Sequence, residues 1–282
     1  MFKNLGVLLV SGSDARTFLQ GQVTADLAAL TPERIVLAAC NSAQGRVQAV
    51  LWMIERPEGI AILLNRDLLD SISTRLRRYV LRAKVAIEAG RLHVGLLERD
   101  EAHDSAGSDR LHRLDGDVSL LQWSGHRQDL VVSPHAPSDA DPNRALAWHI
   151  DHLRAGLPQI YSETYERFVA QMLNLDVLDG ISFTKGCYTG QEIIARTHYR
   201  GAIKRRMFRF RTDAAPPSPG TRILAGEQHA GDVVDSVATA SGTELLAVVS
   251  LAQAHEALRL EAADANDLEH LSLPYEVAEP TD

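Results

Sequence analysis

The stretch TDAAPPSPG at 212–220 constrains the fold more than any other part of the sequence. Three prolines and a glycine in nine residues remove backbone donors and fix φ, so no helix or strand can run through it. The chain has 282 residues, more than a usual single domain, and a division near this turn is expected. The reading places a first domain at 1–203 and a second at 204–282.

Short apolar runs surround the turn. KRRMFRFR (204–211) alternates Met207, Phe208 and Phe210 with arginines and reads as a strand. TRILAG, GDVVDSVATA, ELLAVVSL and LSLPYEV follow, punctuated by glycine. Several short strands at this spacing predict a small β-barrel or sandwich.

The first part mixes helices and strands. SDARTFLQG predicts a short helix capped by Ser11 or Ser13, with Phe18 and Leu19 buried and Gly21 ending it. RIVLAACN and RVQAVLWMIE predict a hairpin about the turn SAQG. Leu68, Leu69, Ile72, Leu76, Tyr79 and Val80 fall at helical spacing, and KVAIEAG and LHVGLLE read as strands. DSAGSDRLHRLDGD (104–117) is polar and predicts a loop. NRALAWHIDHLRAG predicts an amphipathic helix with Leu146, Ile150 and Leu153 on one face. Hairpin-paired strands with helices set apart indicate an α+β fold rather than a doubly wound sheet.

The net charge of −8 is unevenly spread. Acids crowd the part beyond Thr212, where Arg222 and Arg259 are the only Lys or Arg. No acid stands between Glu192 and Asp213, while Arg196, Arg200, Lys204, Arg205, Arg206, Arg209 and Arg211 all do. A short basic stripe on an acidic protein fits a small anionic ligand better than a long nucleic acid. A strand face paired with the acidic tail explains it equally well. No apolar run reaches bilayer-spanning length, and no cleavage site marks a signal peptide. Cys40 and Cys187 show no pairing pattern, which suits a reducing, cytoplasmic compartment. A monomer is expected.

The segment KGCYTGQEIIARTHYRG, 185–201, carries the candidate chemistry. TGQE matches a capping box, with Thr189 as N-cap and Glu192 reaching back, and Gly201 is placed to end the helix. Gly186 and Gly190 flank the turn and permit close backbone approach. Cys187 lies just before the positive end of this helix and two residues from Lys185, a setting that favours thiolate in an exposed thiol. A small buried residue filling the turn is the other reading. Without a nearby His–Asp pattern, shaping or sensing the site is favoured over covalent catalysis. Trp52 and Trp148 could line a slot for a flat ring but read more readily as core. His103, His112, His126 and His135 lack metal-ligand spacing and are expected on the surface; no metal is implied.

KGCYTGQE resembles the signature of the YgfZ-type folate-binding proteins, bacterial relatives of the glycine-cleavage T-protein, an aminomethyltransferase. FLQGQVTADL, CNSAQGRV, LRRYVLRAKVAIE, LRAGLPQI, the long block at 173–206 and a tail ending LPY follow in the order of that family. The resemblance implies two α+β subdomains and a C-terminal β-barrel around a channel, with tetrahydrofolate or a derivative as ligand. It also implies a role with iron–sulfur client proteins, including those that modify tRNA. Lys185, Gly186, Cys187, Gly190, Gln191 and Glu192 carry the motif, and Arg196, Arg200 and Gly201 continue it. The T-protein has an acidic residue where Cys187 stands, so the scaffold rather than aminomethyl transfer is implied. A pterin edge would suit Gln191 and Glu192, and a glutamate tail would suit Arg196 and Arg200. Gln20, Thr24, Asp26, Asn41 and Gln44 are further channel candidates, each equally readable as a turn or cap residue. A folate-dependent one-carbon transferase, and an interaction module docking an acidic partner or tRNA, are the alternatives.

Overall fold

Continuous apolar runs build the first sheet. Leu5–Ser11 (β1), Val36–Asn41 (β2), Val47–Arg56 (β3), Gly59–Asn65 (β4) and Ala86–Ala89 (β5) are antiparallel, in the order β2-β3-β4-β1-β5. All of β2 and nearly all of β3 are buried, because both faces of this sheet are covered. The predicted hairpin is present, with Gly45 N donating to Ser42 O at 3.0 Å. The structure, a computed structural model, describes residues 4–98, 110–136, 141–201, 203–261 and 267–277.

Two helices follow the predicted periodicity with local differences. In Ala15–Gln20 (α1) no side chain caps the start; Asp14 precedes it, Leu19 is buried, Phe18 is half-buried and Gly21 follows. Leu69–Val80 (α2) buries Ile72, Ser73 and Leu76, whereas Tyr79 is 46% exposed.

His93–Glu98 (β6), Arg110–Asp115 (β7), Val118–Trp123 (β8) and Gln128–Ser133 (β9) form a second antiparallel sheet, ordered β6-β9-β8-β7. The polar segment expected to be a loop therefore contains a strand. It is the sheet edge, with Arg113, Leu114 and Asp115 exposed, and edge strands carry polar residues that hide their pattern. The part of that segment before 110 lies outside the described residues.

Pro142–Arg154 (α3) starts at Asp141, whose carboxylate accepts from Asn143 N. It buries Trp148, Asp151, His152 and Leu153, while Leu146 is 43% exposed. The expected face is thus rotated, because Trp148 and His152 stack at 4.4 Å and enter a cluster with Trp52 and Trp123. All three tryptophans are core. His112 and His126 are buried as well, contrary to the surface expectation; His135 is exposed, and His103 lies outside the described residues.

After Gln191–Arg200 (α4) come Arg205–Thr212 (β10), Arg222–Ala225 (β11), Gln228–Thr239 (β12), Gly242–Ser250 (β13), Leu258–Leu260 (β14) and Glu269–Leu271 (β15). Their order is β14-β11-β12-β13-β10-β15. The sheet curls back on itself where Arg259 bridges Asp267 and Leu268 N donates to Leu258 O. Phe210, Val233, Leu245, Ala247 and Val249 fill its inside. Met207, Val234, Val237, Leu246 and Val248 pack instead into the core of the first sheet, so β13 is buried on both faces. LSLPYEV is strand only at Leu271. Beyond it, Leu273 and Tyr275 pack on the first core, and Tyr275 Oη donates to Gly156 O at 2.7 Å. Gly156 is required there (φ 66°), because a Cβ would meet Leu273 and Tyr275 at 2.7 Å.

Together these units are an α+β fold with a small curled C-terminal β-sheet.

Candidate functional site

The elbow at 182–191 docks on the α1–β2 connection through its backbone. Ser182 N donates to Thr24 O at 2.9 Å and Thr189 N to Gly21 O at 3.2 Å. Lys185 turns inward, 8% exposed, and its ammonium donates to Gln20 O (2.6 Å), Val23 O (3.0 Å) and Ala25 O (2.6 Å). An ammonium has three protons to give, and here three carbonyls take them. Burial pulls the Lys185 ammonium down to about 8, with the Asp26 carboxylate opposing. The Tyr188 ring lies 5.2 Å from it.

Gln20 and Asp26 are built into the same connection. Gln20 Nε2 donates to Asp26 Oδ1 at 2.9 Å, and Gln20 Oε1 accepts from Leu27 N. Ala28 N also donates to Asp26 Oδ1, at 3.0 Å, so Asp26 caps the 3-10 turn Leu27–Ala29. The Ala28 amide and then Gln20 hold the Asp26 carboxyl below the usual carboxylate range, because both bonds favour the anion. Among the described residues its Oδ2 accepts nothing. Thr24 is fully buried: it donates to Gly180 O at 2.5 Å and accepts from Ala39 N at 2.8 Å.

Gly190, not Thr189, is the N-cap of α4, in left-handed backbone (φ 82°) and without a side-chain cap. The expected capping box is absent because the elbow presses against the β2–β3 turn: a Cβ on Gly190 would stand 2.6 Å from Ser42 O. Gln191 Oε1 accepts from Tyr188 N at 3.4 Å, while Glu192 is exposed. Gly201 ends α4 as expected, with extended backbone. Asn41, fully buried beside Gly190, has both amide atoms unpartnered among the described residues, which leaves it unused hydrogen-bonding capacity. Gln44 is exposed in the turn.

Cys187 is exposed and Cys40 is buried; burial pushes the Cys40 thiol up to about 11, against the nearby Arg75. The basic stripe divides. Arg206 is bidentate to Asp176 at 2.6 and 2.9 Å, and Arg205, Arg209 and Arg211 reach Asp232, Glu244 and Glu269. Arg196 and Arg200 are exposed on α4 and make no ion pair among the described residues.

A cavity of about 410 Å³ opens beside the elbow. Asp26 forms part of its wall with Arg34, Ser182, Phe183 and Thr184, and Ile35, Leu37 and Ile181 add apolar surface. Of the residues named from sequence, it includes Asp26 alone. Lys185 supports the wall from behind through Ala25. Ser182, Phe183 and Thr184 were missed, although they immediately precede the signature; Phe183 by itself reads as core. Nothing in the local sequence marks Arg34.

No protein-family model matches the chain. It is 33% identical to tRNA-modifying protein YgfZ of Enterobacter sp. (strain 638), covering 96% of this chain and 90% of that protein. It is 32% identical to the protein of the same name from Serratia proteamaculans (strain 568), covering 97% and 91%. Among solved structures it is similar to the glycine cleavage system aminomethyltransferase T of Bartonella henselae, with a TM-score of 0.74 at 14% identity, covering 97% of this chain and 84% of that one. This last likeness concerns the fold. No described helix is long and apolar enough to cross a membrane.

Proposed function

The chain belongs to the YgfZ family of tRNA-modifying proteins, and on that premise we propose that it binds tetrahydrofolate or a derivative and supports assembly or repair of iron–sulfur proteins, tRNA-modifying enzymes among them. The observation that carries the folate reading is the cavity beside the Lys185-anchored elbow, with the Asp26 carboxylate in its wall. Its volume of about 410 Å³ lies within the ~300–1,000 Å³ range of small-molecule sites.

The lining suits the ligand part by part. A pterin presents N–H donors along one edge, and an ionised carboxylate with an uncommitted oxygen accepts them. Phe183, Ile35, Leu37 and Ile181 offer apolar wall to the aromatic rings, and Arg34 offers a cation to the glutamate carboxylates. When bound, reduced folate supplies one-carbon chemistry at its N5 and N10 nitrogens. The chain's own residues orient it: Asp26 holds the pterin edge, and Lys185 fixes the Ala25–Asp26 wall. Cys187 stands two residues beyond Lys185 on the exposed elbow, where a client protein can reach it.

Calorimetry with tetrahydrofolate under reducing conditions tests this. One-to-one binding is expected; no heat from well-folded protein removes the folate reading. A one-carbon transferase is the second reading, favoured by the Asp26 carboxylate in the cavity wall, an anion that can stabilise positive charge on a reacting folate nitrogen. It requires turnover of a methylamine or aminomethyl donor with folate bound, and absence of turnover across such donors counts against it.

A further inference from the structure

The outer face of α4 carries chemistry beyond the cavity, sharing with it only Phe183. Phe183 and His198 stack with ring centroids 3.7 Å apart and planes 13° from parallel. Tyr199 meets His198 edge-on at 4.7 Å and is 65% exposed. Arg196 precedes Tyr199 by three residues and Arg200 by four, so it neighbours both on the helix surface and links the ring to the second arginine. Arg205, Arg206, Arg209 and Arg211 are within 3.9 Å of carboxylates of the protein. Arg196, Arg200 and exposed Lys204 are not, among the described residues.

We propose that this face binds a short single-stranded RNA segment, with a base stacked on Tyr199 and phosphates held by Arg196 and Arg200. Proteins that hold single strands combine a cationic track with exposed rings on which bases stack. An acidic peptide would use the arginines but has no need of an exposed Tyr199 beside a stacked Phe183–His198 pair. The footprint is small, which matches a splayed strand rather than a duplex. The proposal stands on the helix surface and does not depend on folate in the cavity.

Fluorescence anisotropy of the full chain with a labelled single-stranded oligoribonucleotide, at several salt concentrations, tests it. Tyr199→Ala is expected to weaken binding about fivefold or more. Arg196→Ala with Arg200→Ala is expected to lower the slope of log affinity against log salt by about 1.4. The same change at Arg78 and Arg82, exposed at the far end of α2, should leave binding unaltered. Tryptophan fluorescence checks that each variant is folded, since these side chains lie outside the tryptophan cluster. Absence of binding, or variants at 196, 199 and 200 that bind like the parent, overturns the proposal. Displacement by polyglutamate without any effect of Tyr199→Ala makes the face an acidic-protein site. Loss of folate heat in the double arginine variant with RNA binding intact returns the pair to the folate tail.

Discussion

Lys185 Nζ stands 2.6 Å from the carbonyl oxygen of Ala25, the residue before Asp26 in the cavity wall. One side chain thus ties the signature elbow to a connection 160 residues earlier. Lys185→Met strips three carbonyls of their donor, and the two buried ones, of Val23 and Ala25, each cost about 1–3 kcal/mol when left unsatisfied. A loss of about 3 kcal/mol or more in urea unfolding is expected. Lys185→Arg should not rescue it, because a planar guanidinium cannot give three protons to a pyramid of carbonyls. A variant within 0.5 kcal/mol (the usual range of surface changes) would show that the cage is incidental.

The two glycines that bracket Cys187 should behave differently. Gly190→Ala forces a left-handed residue and sets its Cβ 2.6 Å from Ser42 O, a backbone clash expected to cost about 2 kcal/mol or more. A Cβ on Gly186 meets nothing within 4 Å, so Gly186→Ala should change stability by less than about 1 kcal/mol. Equal midpoints in denaturant would contradict this account of the turn.

Native thiol labelling should modify one cysteine per chain. Cys187 is exposed, whereas Cys40 is fully buried with its thiol pushed up to about 11, and the thiolate is the reactive form. Peptide mapping after brief alkylation is expected to find label on Cys187 alone. Cys187→Ser should keep the fold and abolish the labelling. Resistance of Cys187 in native protein would make it a structural residue.

Long apolar runs made the hairpin and most barrel strands legible in sequence, and the basic stripe was seen as two possibilities. What remained hidden was tertiary. β7 is polar because it lies at a sheet edge, and the stripe's strand half pairs with Asp176, Asp232, Glu244 and Glu269, partners mostly far along the chain. Thr189 and Glu192 had the right spacing for a capping box, but close packing on Ser42 gave that position to Gly190. Gln20 and Thr24 were visible as polar candidates; only the structure shows them bonded to Asp26 and Gly180.

His149 on α3 and Asp235 on β12 join the two cores at 2.8 Å, with Tyr161 donating to the other carboxylate oxygen. Burial opposes a charged imidazole there, but the charge of Asp235 and its hydrogen bond outweigh it, and the His149 pKa is raised. The folded form therefore holds this proton more tightly than the unfolded chain. The pair's contribution is complete below about 6.5 and fades as pH rises through the higher folded value. The stability difference between the parent and His149→Gln should shrink from pH 6 to pH 8.5; a constant difference would contradict the assignment.

The most direct measurement compares tetrahydrofolate binding by the parent chain and by Asp26→Asn, titrated calorimetrically under reducing conditions. The account predicts one site per parent chain and an affinity at least about tenfold weaker in the variant, the loss of one charge-assisted hydrogen bond. Undiminished affinity in a folded Asp26→Asn protein, or no binding by the parent, would contradict it.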